Sequence, residues 1–393
     1  MRKRLKTCAA ALLIIAAILT SGGCWSQREL KDLHITIGVG IDKDNEQPGN
    51  VLITAQIVNP EQMQSGTGDS AGGDGQAYIN HVSSGTNTFD AVREFTHEIS
   101  ERLYQAHTQV FVIGNEMARE GISKHLDFFI RAVETRPTTK IVIAQGTALD
   151  ALSAQAEMEK LPAMHINKII ESQDLNSQSR PATIQQYISA MVSKTYSFTA
   201  PILRIENEQG EGKLMISGMA VFKQDRMMGE LTEEESRGML WVDGEVVSGV
   251  MNVKVDEGEA AIEIKAVSSK VSTSISGGVP SVEITIDMQG VMATQTISRN
   301  LATMEGISEM EDLTEQAIIG EISMAISKAR SLGADIFGFG EEFRKHHNKQ
   351  WKWMEQSWEE LFPELTVNLK VKARITGAGV IVKPAQAEEG QQH

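Results

Sequence analysis

Val282-Glu-Ile-Thr-Ile-Asp-Met288 and Leu365-Thr-Val-Asn-Leu-Lys-Val-Lys-Ala-Arg-Ile375 decide the fold of this chain. In both, apolar and polar residues alternate strictly. A period of two places every apolar side chain on one face of a strand, so these segments predict a sheet with one buried and one wet face. Ile262, Ile264 and Ala266, alternating with Glu263 and Lys265, add a third strand. Between Met288 and Leu365 lies a different pattern. Met310, Leu313, Ala317, Ile318, Ile322, Ala325, Ile326 and Ala329 recur at helical spacing. This stripe predicts a helix that covers the apolar face of the sheet. A second helix is predicted over residues 342–361, carrying Trp351, Trp353 and Trp358. The polar run 385–393 reads as a disordered tail.

Working outward towards the N-terminus, the pattern becomes one of alternating strands and helices. His34–Ile41, Val51–Val58, Tyr78–Ser83, Gln109–Ile113 and Lys140–Ala144 read as strands. A helix capped by Asn87 or Thr88 and running to about Leu103 separates two of them. Another is marked by Ile122, Leu126, Phe129, Ile130 and Val133, and helical segments fill 148–192. Alternation of this kind predicts an α/β unit. Near Ser193 it gives way to strands at 202–205 and 214–222, and Thr232-Glu-Glu-Glu235 reads as a helix start, with acids at the positive end of the helix. The fold class is therefore α+β and multi-domain, with mixed or antiparallel sheets each covered by helices. The expected division is a signal peptide at 1–23, an N-terminal α/β domain at 24–195, a small middle domain at 196–245, and a C-terminal α+β domain with an antiparallel sheet at 246–384.

The first two dozen residues are an export signal. Arg2, Lys3, Arg4 and Lys6 precede an apolar run from Ala9 to Leu19, too short to span a bilayer, and then Thr20-Ser-Gly-Gly-Cys24. Small residues directly before a cysteine resemble a bacterial lipobox, although Ser21 stands where such sites usually carry Leu. Cys24 is thus the candidate lipidation site and the new N-terminus. Cys8, the other of the two cysteines, lies in the leader, so no disulfide partner is expected. The formal net charge is −15, and removal of the leader's four basic residues makes it −19. Such a chain is not suited to nucleic acid or to anionic membranes by bulk electrostatics. Attachment is expected from acyl chains, each buried CH₂ contributing about 0.8 kcal/mol.

The common catalytic signatures are missing from the sequence. It contains no phosphate loop, no G-x-S-x-G elbow and no H-E-x-x-H helix. His346 and His347 are adjacent and point about 100° apart on a helix, which is unsuited to a shared metal. No cofactor, metal or catalytic residue is expected.

Four ordered segments then resemble one family. They are Cys24-Trp-Ser-Gln-Arg-Glu-Leu-Lys-Asp-Leu33 with Gly38-Val-Gly-Ile-Asp42; Ser100-Glu-Arg-Leu-Tyr-Gln-Ala-His107; Ser217-Gly-Met-Ala-Val-Phe222 with Gly229, Glu235, Ser236 and Gly238-Met-Leu-Trp241; and Ala334-Asp-Ile-Phe-Gly-Phe-Gly340 with Trp351, Trp358 and Phe362-Pro363. Together they resemble the Ger(x)C family, the C subunit of spore germinant receptors; Ser26-Gln27 departs from its usual pattern. The resemblance implies a three-domain lipoprotein, lipid-anchored on the outer face of the spore inner membrane. It implies work beside integral membrane subunits A and B in nutrient-triggered germination, and it carries over no catalytic residues. Most motif residues are read as maintaining the fold: Glu101 and Arg102 as an ion pair, Asp335 as a helix cap, and the tryptophans as core. The alternatives are a solute-binding lipoprotein of a transporter and a surface-anchored hydrolase.

Overall fold

The computed structural model describes residues 33–64, 76–99, 102–155, 159–208, 211–255, 258–297 and 299–377. The leader, Cys24, Glu101 and the tail 385–393 lie outside the described residues.

Strands β1 (Leu33–Lys43), β2 (Val51–Val58) and β3 (Tyr78–Gly85) form an antiparallel meander, with helix α1 (Pro60–Gln64) after β2. Helix α2 (Thr88–Glu98) and the short β4 (Arg102–Tyr104) lead to β5 (Val110–Gly114). Helices α3 (Asn115–Glu120) and α4 (Ser123–Arg131) connect it to β6 (Lys140–Ala144). Then come α5 (Ala148–Ser153), α6 (Pro162–Glu171), α7 (Ile184–Val192), β7 (Thr199–Glu208), β8 (Glu211–Lys223) and β9 (Arg226–Leu231). The strand order is β3-β2-β1-β5-β6-β7-β8-β9, with β4 paired to the start of β1. The central strands β1, β5, β6 and β7 are mutually parallel. Parallel neighbours need crossovers, and the helices supply them on both faces. Val110, Phe111, Val112 and Ile113 are consequently all buried, as are Ile141, Val142 and Ile143. One face packs on Phe95, Phe129 and Tyr187 from α2, α4 and α7, the other on Leu152, Ala163 and Ile166 from α5 and α6.

Helix α8 (Glu233–Asp243) opens the remainder. Strands β10 (Gly249–Val255), β11 (Gly258–Ser276), β12 (Val279–Gln295) and β13 (Thr366–Ile375) form a second sheet in that order. Helix α9 (Met304–Leu332) lies across it, with Met310, Ile318, Ile322, Ala325 and Ala329 buried on the apolar face as the stripe requires. The chain is thus a mixed α+β protein with two helix-covered sheets.

Several expectations change in detail. The last sheet is mixed rather than purely antiparallel, because β13 pairs with β12 in parallel. The long crossover through α9 brings the chain back to the same end of the sheet. The predicted helix 342–361 is three pieces, α10 (Phe339–His346), α11 (Asn348–Met354) and α12 (Trp358–Glu364), with a 3-10 turn at Glu355–Ser357. The first break falls at His347, whose backbone leaves helical geometry and whose ring Nε2 lies 3.0 Å from the Thr273 carbonyl on β11. Trp351 and Trp358 are core, packed edge-on at 5.3 Å, whereas Trp353 is 47% exposed. Helix α2 is capped by Asn87 as expected but stops at Glu98, since Leu103 belongs to β4 and pairs with His34. The segment 196–245 is shared between the two units: β7, β8 and β9 finish the first sheet, and α8 packs on α9 over the second. At the outer edge of β13, the amides of Ala373 and Ile375 donate to Glu315 and Glu311 of α9 at 3.0 and 2.9 Å.

Candidate functional site at the seam between the two sheets

The third and fourth sequence motifs meet where the two units join. Helix α9 ends on Gly333 in left-handed conformation, and the chain turns through Ala334-Asp335 to reach α10. The Asp335 carboxylate accepts from the backbone N–H of Phe339 at 3.1 Å and of Gly340 at 2.8 Å, so it caps α10. Its carbonyl accepts from Ser197 N–H at 2.9 Å, which ties the turn to the chain entering β7. Burial pushes its pKa up to about 6, against the lowering effect of the two amides. Gly340 is required by space: a Cβ there would lie 2.5 Å from Thr195 Oγ1. The fourth motif is thus the hinge plate of the seam.

The third motif forms the other side. At Gly238 helix α8 crosses α9 so closely that a Cβ would sit 2.1 Å from the Glu321 carbonyl oxygen. The Glu321 carboxylate is 7% exposed. It is held bidentately by Arg237, with Nε donating at 2.9 Å, and it accepts from Trp241 Nε1 at 2.8 Å. Glu235 closes a capping box with Thr232. A third cluster centres on Arg180, which precedes α7. One guanidinium nitrogen donates to Asp243 at 2.7 Å and Glu245 at 2.9 Å, and the other to Tyr196 Oη at 3.1 Å. Burial pushes Asp243 up to about 6 even beside this cation. Two clefts of about 560 and 590 Å³ open along the seam, the first beside Tyr196, Lys223, Asp335 and Trp358, the second beside Arg204, Thr232 and Arg237.

The first motif acts inside the α/β unit. Asp42 is buried and accepts from the Ala148 and Leu149 amides at 2.8 and 3.0 Å, and burial raises its pKa. Gly38 and Gly40 let β1 approach Ala163 and Ala148, where a Cβ would lie 2.6 and 3.1 Å away. In the second motif, Arg102–Tyr104 forms β4. Glu101 and the lipidation candidate Cys24 lie outside the described residues. Chemically, these buried carboxylates are committed to backbone amides, a guanidinium or an indole, which is the chemistry of a rigid joint. Among the described residues no group of acids, histidines or cysteines could hold a metal ion. Sequence reading missed Glu321 and Arg180. Glu321 had a signal, an acid on an otherwise apolar stripe between Ile318 and Ala325; Arg180 had none, since its acidic partners lie 63 and 65 residues downstream.

Residues 26–205 match the family described as spore germination protein N-terminal domain, and residues 217–379 match spore germination B3/GerAC like, C-terminal. Spore germination protein KC of Bacillus subtilis (strain 168) is 25% identical, covering 96% of this chain and 98% of that one. Spore germination protein YndF of the same organism is 26% identical, covering 97% and 99%, and spore germination protein B3 is 22% identical, covering 96% and 100%. The crystal structure of the GerBC protein superposes with a TM-score of 0.58 at 20% identity, over 86% of this chain and 97% of that one, and so shares the fold. The chain belongs to the Ger(x)C family of spore germination proteins. The family is not known as one of enzymes, and the matches lend nothing to the solute-binding alternative.

Proposed function

We propose that the chain is the non-enzymatic, lipid-anchored C subunit of a nutrient germinant receptor. It docks on integral subunits A and B at the outer face of the spore inner membrane. The observation that carries the reading is the end-to-end match to spore germination proteins, 96% of the chain against 98% of one relative. The seam supports it: buried acids spent on caps and ion pairs suit a rigid docking body. Among the described residues no helix is long and apolar enough to cross a membrane. In this reading attachment comes from acyl chains on Cys24, with two chains sufficing for stable anchoring. Confinement to the membrane plane raises the effective concentration for its partners, so a modest contact suffices.

Cys24→Ala tests the anchor. Fatty-acid label should be lost, and the chain should leave the membrane fraction or accumulate as precursor. Equal labelling of both proteins would remove the anchor from the reading. Recovery of the integral subunits with the wild-type chain, and much less with Cys24→Ala, tests docking. Tight saturable binding of a nutrient by the full chain, with no subunit recovered, would replace this reading with solute capture.

A further inference from the structure

An apolar groove opens on the α/β unit, away from the seam. Its volume is about 630 Å³, and it is lined by Val92, Phe95, Ile99, Leu103, Phe128 and Val133. Its rim is mixed: Arg93, Thr96, Gln105 and Glu134 stand among the apolar side chains. Val133 is fully exposed and Phe89 half exposed, and the Phe89 ring packs on Phe128 at 5.9 Å between centroids. The Arg93 guanidinium sits over Phe89, 5.0 Å from the ring centroid. Val133 falls at the helical spacing that marks α4, but the helix ends at Arg131 and leaves it outside the core. Contiguous exposed apolar surface marks an interaction site.

The position of the groove identifies what covers it. Its wall at Leu103 is strand β4, and β4 pairs residue for residue with the start of β1: Leu33 with Arg102, and His34 with Leu103. The chain thus enters the fold alongside the groove. Cys24 precedes Leu33 by nine residues. Nine residues fully extended reach at most about 30 Å, so an anchored Cys24 holds the groove within that distance of the lipid. Without its leader the full chain's −15 becomes −19, so apolar contact rather than charge must draw it to a bilayer. An aromatic ring under an arginine joins an apolar body to a charged head, a pairing that suits a lipid–water interface.

We infer that the groove between α2, α4 and β4 seats on the outer leaflet of the bilayer, inserting Phe89 and Val133 at the level of the headgroups. The inference rests on the anchored reading of Cys24. It assigns the protein a fixed orientation, with the α2–α4 end against the lipid.

The test uses the full chain, processed and lipidated in cells and reconstituted in phosphatidylcholine vesicles with brominated acyl chains. Val133→Cys carries a polarity-sensitive dye; the lipidated Cys24 is a thioether and does not react. Ser276→Cys, exposed at the end of β11, provides the comparison. Dye at 133 should shift to the blue and lose about half its emission or more to bromine, while dye at 276 should remain water-like. In the unlipidated Cys24→Ala chain, Phe89→Asp with Val133→Asp should weaken vesicle partitioning about tenfold. Flotation read on the same samples separates the two ideas. A chain that floats with residue 133 in water overturns the groove assignment and leaves the anchor intact. A chain that does not float overturns both. Equal quenching at 133 and 276, or protection of 133 only when integral subunits are present, also overturns the lipid assignment.

Discussion

Asp335 shows what one residue does in this fold. It was legible as a helix cap because a short acid before Gly-Phe-Gly has few other uses, and it does cap α10. Its burial and its tie to Ser197 were not legible, because they depend on a strand about 140 residues away. Burial raises its pKa from 3.8 to about 6, so the folded chain holds this proton more tightly than the unfolded chain. A group raised in this way contributes full stability below about pH 4, and the contribution is lost as pH rises through about 6. Asp335→Asn cannot titrate. The melting midpoint of the wild type minus that of the variant should be largest near pH 4 and shrink by pH 7. A difference that grows with pH would refute the assignment. Asp243, also raised to about 6, is common to both proteins and cancels.

Elements were readable wherever one face is apolar and the other wet. The alternation in β12 and β13 and the stripe of α9 gave both the element and its buried side. Elements were misread where tertiary geometry intervenes, as in the kink at His347 and the parallel docking of β13, neither of which has a periodic signature. The α9 stripe supports a sharp prediction. Ile322 is completely buried against the sheet. Ile322→Asp puts an unpaired carboxylate there, at a cost on the order of 4 kcal/mol. The variant should melt well below the wild type in urea, or fail to accumulate. An unchanged midpoint would show that the face carries no core.

For the whole molecule, the boundary between the units was the least legible feature. The pattern of elements changes near Ser193, yet β7, β8 and β9 complete the first sheet while Met219, Val221 and Leu231 share a core with the second. Two sheets that share side chains should unfold together. Arg180 tests this, because its ion pair with Asp243 leaves only 12% and 15% of the two side chains exposed. Arg180→Ala strands a buried acid, costing about 3–5 kcal/mol. Calorimetry should give one transition for the wild type and a lower midpoint for the variant. Two well-separated transitions in the wild type would mean that the seam is a contact rather than a joint.

The glutamates on α9 that take up the Ala373 and Ile375 amides have a consequence for crowding. A free strand edge is a template on which a neighbouring chain can add its own strand, and that is how β proteins aggregate. Under the anchored reading proposed above, copies held at one surface would meet each other far more often than proteins in dilute solution. With its last outward amides already occupied by carboxylates, this end of β13 offers a second copy fewer free donors on which to add a strand.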